Sequence, residues 1–442
     1  MRGPGRDAGP ERLISSDAWT GAVHACLSAR LQTDAVHPIA LSLSGGGDSI
    51  ALLRLTCDWA KAHGRRVLAL TVDHGLNADS AGWTAFAGET ARGAGAEWRA
   101  LSWDGEKPTA SLPAAARAAR HRLLAGAARE AGARVVLFAH TAGDVREAEV
   151  MRAEGSTLGR VREWGPSPAW PEGRGLMLLR PMLGAGREEI RTWLVSQGAR
   201  WIEDPGNEDL KFARSRARVV LGGDRLAGVG TPHPPTRGAR GPLPLRMGEG
   251  VVGVGREVDG RTLAAVLVCV GGGDRPLRGD RLDRLIARLG AGDDFVAVLG
   301  GSRIEADGDR VTVMREAGEI ARHGAGPLVL APGVETVWDG RWAVRVDEPG
   351  WSVAAAAGRR GGMSKADRAR LATMPPGARG AQPVLIRDDP PAAILAAPTG
   401  QAWSLVEERL ALTLDGMTHE GALTTACHGA APRNALFSSG SY

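Results

Sequence analysis

The sequence predicts an α/β fold: a parallel-sheet domain with helices on both faces, followed by a smaller α+β region. Three observations predict it. Between residues 39 and 153, short apolar runs alternate with helix-length segments, which is the pattern of a parallel sheet. Asp48, Asp73, His140 and Asp144 all fall where those runs end, and open parallel sheets present ligand-binding groups at the carboxyl ends of their strands. Beyond about residue 250 the pattern changes to hairpins turned at Asp-Gly, from Ser302 to Val313 and from Val337 to Val344.

The elements follow in order. Residues 1–36 read as a flexible N-terminus and a leading helix, Asp17 to Leu31. The first strand is the apolar run Ile39 to Leu43, and Ser49 to His63 is the helix after it. Val67 to Val72 is the second strand and Asp79 to Gly93 the second crossover helix. Trp98 to Trp103 is a third strand, followed by an Ala/Arg-rich helix from Leu112 to Arg129. Val135 to Phe138 is the fourth strand, and Asp144 to Ala153 continues as helix. Gly155 to Gly175, rich in Gly, Pro and Trp, reads as a flexible loop, and Gly186 to Gln197 as a helix. The first domain spans 37–220, a Gly/Pro/Arg-rich linker 221–250, and the helical and α+β region 251–414, with helices at Asp280 to Leu289 and after Ser364 and a strand at Pro383 to Leu385. The Gly/Ala/Thr/Ser-rich tail, 415–442, reads as disordered.

Composition bounds the function. A chain of 442 residues with 43% hydrophobic content suits two or three domains. It holds no apolar run long enough to span a membrane, and its first residues carry no signal core, so the cytoplasm is the expected compartment. Cys26, Cys57, Cys269 and Cys427 stand singly, which supports neither a zinc clip, an iron–sulfur site nor a disulfide framework. The net charge of +5 is almost entirely arginine, since Lys61, Lys107, Lys211 and Lys365 are the only lysines. That balance is compatible with nucleic-acid binding and equally with a GC-rich genome.

The chemistry starts at Ser44-Gly45-Gly46-Gly47-Asp48-Ser49. A strand, a loop of small residues and a helix start make an anion site, because glycine lets the backbone approach and the first helical amides are unpaired. The kinase-type loop needs a lysine, which is absent, and the dinucleotide loop needs a glycine spacing that Gly45-Gly46-Gly47-Asp48 does not have. Ser-Gly-Gly-x-Asp-Ser instead resembles the pyrophosphate loop of the ATP-pyrophosphatase superfamily, whose members cleave ATP between the α and β phosphates. Asp48 suits a Mg²⁺ ligand, since a hard cation beside phosphate prefers carboxylate oxygen. A plain Gly-rich turn is the competing reading.

A second block narrows the resemblance. His140-Thr141-Ala142-Gly143-Asp144-Val145-Arg146-Glu147 is similar to the His-x-x-Asp-Asp-x-x-Glu block of the tRNA(Ile)-lysidine synthetase family. Asp144 and Glu147, three apart on a helix, share a face and would seat a cationic amine, although a solvated acidic face has the same spacing. Val72-Asp73-His74-Gly75-Leu76, Ala116-Arg117-Ala118-Ala119-Arg120-His121, Arg180-Pro181-Met182-Leu183, Arg187-Glu188-Glu189-Ile190, Glu203 to Asn207 and Phe212 to Arg218 match further blocks in order. The resemblance covers about residues 37–220 strongly and about 260–390 more weakly, where Leu299 to Arg303 and Met363 to Arg368 look like parts of the family's C-terminal tRNA-binding elements.

The resemblance implies an adenine nucleotide α-hydrolase-like fold and a carbon–nitrogen ligase. It implies ATP and pyrophosphate contacts from Ser44, Gly45, Gly46, Gly47, Asp48, Ser49, Asp73, His74, Arg117 and Arg214, lysine contacts from Asp144 and Glu147, and Mg²⁺ on Asp48. Asp48, Asp144 and Glu147 are the expected catalytic residues. The implied partners are L-lysine and the isoleucine tRNA with anticodon CAU, and a homodimer is consistent with the family. The sequence departs from the family at Gly143, Val145, His121 and Glu154-Gly155-Ser156-Thr157. Three rivals remain: a tRNA 2-thiolation enzyme, for which no Cys-x-x-Cys exists, an amidotransferase-type synthetase, and a non-catalytic RNA-binding relative.

Overall fold

The computed structural model describes residues 17–153, 161–203, 246–274, 277, 280–322, 326–388, 391–414 and 417–423. The chain divides into two compact units, Met1–Trp164 with Leu178–Pro234, and Gly165–Met177 with Pro235–Tyr442.

The first unit runs α1 (Asp17–Arg30), β1 (Ile39–Ser42), α2 (Gly47–Ala62), β2 (Val67–Asp73), α3 (Ser80–Gly93), β3 (Glu97–Ser102), α4 (Leu112–Glu130), β4 (Val135–Leu137), α5 (Ala142–Ala153), β5 (Trp164–Pro166), β6 (Met177–Leu179) and α6 (Arg187–Ser196). The sheet order is β3-β2-β1-β4-β6-β5. Strand β1 is central, with Ile39, Ala40 and Leu41 fully buried, as a strand covered on both faces requires. It pairs in parallel with β2, Ile39 opposite Val67, and with β4, Ala40 opposite Val136 and Leu41 opposite Leu137. The chain first steps outward from β1 to β3, then returns to lay β4 on the other side of β1. Right-handed crossovers then put α2 and α3 on one face and α4 on the other. The reversal between β1 and β4 is where a crevice opens at the carboxyl ends of the strands.

Helix α2 buries Ile50, Leu52, Leu53 and Leu55 against the sheet. Helix α1 packs on its outer side, where Trp59 Nε1 donates to Ser28 Oγ at 2.9 Å. One reading of this unit changes, and one strand is added. The stretch Gly155 to Gly175 contains the short strand β5, and Met177–Leu179 forms the buried strand β6. Both strands are three residues long, too short for any periodicity to register in the sequence. The departures at Glu154 to Thr157, the closing block from Asp204 to Arg218 and Arg214 lie outside the described residues.

The second unit has three antiparallel sheets. A five-stranded sheet, β7-β8-β11-β10-β9, uses β7 (Arg246–Gly248), β8 (Val251–Val254), β9 (Phe295–Leu299), β10 (Ser302–Asp307) and β11 (Arg310–Arg315). Helix Gly260–Gly271 buries Leu263, Val266, Leu267 and Val270 against Val252, Ile304, Val311 and Val313. Strands β12 (Leu328–Val329), β15 (Ser352–Ala355), β16 (Pro383–Asp388) and β17 (Pro391–Leu395) make a second sheet, and β13 (Thr336–Trp338), β14 (Trp342–Val344) and β18 (Ala402–Ser404) a third. The hairpin β10–β11 turns at Asp307-Gly308-Asp309, with Asp307 opposite Arg310, and β13–β14 turns at Asp339-Gly340, as expected. The stretch read as linker already holds β7 at its end. Within the tail read as disordered, Met417, Glu420 and Leu423 are buried, so its first residues are packed against the rest of the protein.

Candidate active site

The phosphate loop is built from both sides. Helix α2 starts at Gly47, two residues before the expected Ser49, because extended Gly46 serves as its N-cap. Asp48 therefore lies in the first turn, at the positive end of the helix dipole. Ser49 fixes the loop: its Oγ accepts from the Ser44 amide at 3.3 Å and from Ser44 Oγ at 3.2 Å, and donates to the Gly46 carbonyl at 2.8 Å. Gly45 has φ +85°, the left-handed region that favours glycine. The segment after α6 closes over the loop. Gly46 pairs with Ile202, whose amide donates to the Gly45 carbonyl at 2.9 Å. A Cβ on Gly45 would lie 2.5 Å from Ile202 Cδ1, and one on Gly47 would lie 3.4 Å from Leu194 Cδ1 and 3.5 Å from Trp201 Cδ1.

Asp73 ends β2, and its Oδ1 accepts from the Gly75 amide at 2.8 Å, so the carboxylate shapes its own turn. His74 lies edge-on to Trp103, with ring centroids 5.9 Å apart. Burial, then the Arg120 guanidinium, holds His74 below the usual imidazole range, with Asp73 opposing and Lys107 adding a smaller push.

After β4, Thr141 starts α5. Its amide donates to Asp144 Oδ2 at 2.7 Å and its hydroxyl to the same oxygen at 3.1 Å. Asp144 and Glu147 are both buried, while Arg146 on the same helix is exposed. A solvated acidic face is thus excluded for this pair.

Opposite these carboxylates in charge stands a cluster of three arginines with two histidines among them. Arg117, Arg120 and His121 come from α4, His140 from the end of β4 and Arg180 from the end of β6. His121 stacks on Phe138 at 5.2 Å, and Phe138 on His140 at 5.9 Å. Burial pushes His121 down to about 3, reinforced by Arg120, Arg117, Arg180 and His140. Burial and then Arg117 lower Arg180 to about 10, which leaves it charged at neutral pH. Arg180 Nη1 donates to the Arg162 carbonyl at 2.8 Å.

The strands β2, β1 and β4, adjacent in the sheet, therefore bring Ser44 to Ser49, Asp73, His74, Asp144 and Glu147 to one end of it. Arg214 lies outside the described residues. Sequence reasoning assigned no role to Ile202, Arg180 or Arg187; the last two stood inside quoted blocks, whereas Ile202 gave no local signal. Among the described residues no cluster of three His, Cys, Asp or Glu side chains forms a metal cage. Asp48 beside a phosphate loop does fit a Mg²⁺ that takes most of its ligands from phosphate and water.

An α/β unit with a serine-locked glycine loop at its switch point defines a nucleotide-phosphate enzyme of the PP-loop class, and residues 23–223 match the family described as the PP-loop domain. The chain is 48% identical to the tRNA(Ile)-lysidine synthase of Caulobacter vibrioides, over 83% of this chain and 88% of that one. It is 34% identical to the tRNA(Ile)-lysidine synthase of Hyphomonas neptunium, over 64% of this chain and 83% of that one. The chain belongs to the tRNA(Ile)-lysidine synthase family.

Proposed function

We propose that this protein is a carbon–nitrogen ligase that joins L-lysine to C2 of the wobble cytidine in the isoleucine tRNA with anticodon CAU. The observation that carries the reading is the adjacency of β1 and β4, which sets the Ser44–Ser49 loop beside the buried Asp144 and Glu147. One group site takes a leaving pyrophosphate and the other holds an amine.

The reaction balances in two steps. The C2 oxygen of the cytosine attacks the α phosphorus of ATP, and pyrophosphate leaves toward Ser44, the loop amides and Ser49. The lysine ε-amine then attacks C2, and AMP departs with the C2 oxygen. Asp144 and Glu147 orient the amine, and one of these carboxylates takes the proton that the amine loses. Asp48 would hold a Mg²⁺, which when bound would supply positive charge against the leaving pyrophosphate. Arg117, Arg120 and Arg180 offer guanidinium donors for phosphate oxygens, those of ATP or of the RNA backbone. An anticodon base is already in a single-stranded loop, so extruding it costs little.

Sulfur transfer is disfavoured on chemical grounds. Burial pushes Cys26 up to about 12, Cys57 to about 11 and Cys269 to about 11, so these thiols stay protonated and are poor nucleophiles. The test is mass spectrometry of nucleosides from the isoleucine tRNA incubated with enzyme, ATP and lysine. Lysidine is expected; a thiolated base, or an unmodified cytidine despite ATP–pyrophosphate exchange, would overturn the reading.

A further inference from the structure

Helix α6 carries two arginines on its first two turns, and they are committed differently. Arg191 is tied to Glu203, Nη2 to Oε1 at 3.0 Å and to Oε2 at 3.2 Å, while Trp201 Nε1 holds the same carboxylate at 2.7 Å. Arg187 has only a long approach, Nη2 to Asp48 Oδ2 at 4.0 Å, beyond hydrogen-bond distance. Its side chain is 36% exposed and Asp48 is 26% exposed.

The frame that aims Arg187 is rigid. The Gly186 amide donates to Glu189 Oε2 at 2.7 Å, which closes the first turn of α6 and fixes where residue 187 projects. Lower on the same helix, Leu194 contacts Gly47, and the following Trp201 and Ile202 close over the glycine loop. One element thus shapes the back of the phosphate loop and presents a guanidinium to Asp48 at its mouth.

We propose that Arg187 binds the pyrophosphate end of ATP. The inference rests on the functional reading above. A pyrophosphate entering the loop meets the negative charge of Asp48, so it needs cations placed at that carboxylate. Mg²⁺ on Asp48 is one; Arg187, already drawn to Asp48 yet not hydrogen-bonded to it, is the second. When phosphate oxygens arrive, the planar guanidinium exchanges a weak contact for charge-assisted, bidentate hydrogen bonds. The leaving group gains negative charge as it departs, so this contact strengthens along the reaction.

The alternative is that Arg187 only neutralises Asp48. The two differ in ligand selectivity, because AMP lacks the pyrophosphate. Equilibrium binding to the full chain is measured by calorimetry with Mg²⁺ and, separately, ATP, inorganic pyrophosphate and AMP. For Arg187→Ala, affinity for ATP and pyrophosphate is expected to fall roughly 10- to 100-fold, with AMP changing less than about threefold, the range for losing a charged hydrogen-bonded partner. Arg187→Lys is expected to recover part of the loss, since it restores charge but not the fork. Unchanged pyrophosphate affinity, or an equal loss for AMP, would overturn the proposal. If Arg187→Ala does not fold, Arg187→Gln, which keeps a polar chain of similar reach, carries the same comparison. Parent protein that binds neither ATP nor pyrophosphate would instead overturn the functional reading itself, and this inference with it.

Discussion

Thr141 and Asp144 form a closed turn in which one carboxylate oxygen, Asp144 Oδ2, takes both the backbone amide and the hydroxyl of Thr141, at 2.7 and 3.1 Å. This is the reach-back half of a helix-capping box, in which a carboxylate three residues on accepts from the amide at the helix start, with Asp144 in the position usually held by Glu or Gln. Asp144 therefore has a structural task at the start of α5 as well as the amine-binding task proposed for it. The two tasks separate by substitution. Asp144→Asn keeps an oxygen acceptor for Thr141 but removes the charge. It is expected to fold like the parent and to raise the KM for lysine at least tenfold. Asp144→Ala removes both and is expected to lose a further ~1 kcal/mol of stability, the usual value of a cap. Equal stability of the two variants in urea unfolding would show that the capping contact carries no weight.

Gly45 combines a φ of +85° with a neighbour, Ile202 Cδ1, 2.5 Å from where a Cβ would stand. Gly45→Ala is expected to cost about 1–2 kcal/mol from the left-handed backbone alone. The flexible end of Ile202 can move aside, so its share is the smaller one. Adding Ile202→Ala to Gly45→Ala is therefore expected to leave most of the loss of ATP affinity in place. Full recovery of ATP binding in the double variant would mean that crowding, and not backbone conformation, is what glycine relieves at this position.

How much of this was legible in the sequence depends on the range of the interaction. Strands β1, β2 and β4 are short apolar runs closed by polar residues, and Asp48, Asp73 and Asp144 could be placed at their ends from local pattern alone. Ile202 could not: its pairing with Gly46 joins segments distant in the chain, and nothing local marks it. The helix Gly260–Gly271 was missed because it is apolar on nearly every side, which erases the 3.6-residue period. Asp259 was the readable signal there, since its side chain accepts from the Arg261 and Thr262 amides as an N-cap. The burial of Asp144 and Glu147, which separates a site from a solvated face, was also beyond the sequence, because i, i+3 spacing is identical in both.

The second unit is held by an ion trio that the sequence did not advertise. Asp339, at 4% side-chain exposure, accepts from Arg315 Nη2 at 2.8 Å and from Arg341 Nε at 2.7 Å, and these arginines are 9% and 1% exposed. Arg315 Nη1 also donates to the Gly301 carbonyl and Arg341 Nη2 to that of Ala381, so one carboxylate ties the five-stranded sheet to the C-terminal strands. Removing a partner from a buried ion group leaves uncompensated charge. Asp339→Ala is expected to cost about 3–5 kcal/mol. Asp339→Asn retains an acceptor and the tolerance for φ +50°, and is expected to cost less. Thermal unfolding of the two variants checks the order.

His121 gives the clearest pH prediction. It is 6% exposed, its Nε2 finds no hydrogen-bond partner among the described residues, and burial, then the neighbouring Arg120, Arg117 and Arg180, lowers it from 6.5 to about 3. The folded protein therefore keeps this imidazole neutral, whereas the unfolded chain takes up a proton below pH 6.5. In that window the unfolded state binds more protons, so stability falls as pH falls, and the loss continues until the folded value near 3 is reached. From pH 7.5 to pH 5 the linkage amounts to about 2 kcal/mol from this residue. His121→Gln and His121→Tyr remove the titration and are expected to flatten the pH dependence of urea unfolding by that amount, whatever their effect at neutral pH. Proton NMR offers an independent check, since the His121 ring resonances of the folded protein are expected to stay in the neutral position down to pH 5. A midpoint near 6 would mean that the ring is open to water and that the surrounding arginines are turned away from it, against the burial that is the larger cause of the lowered value.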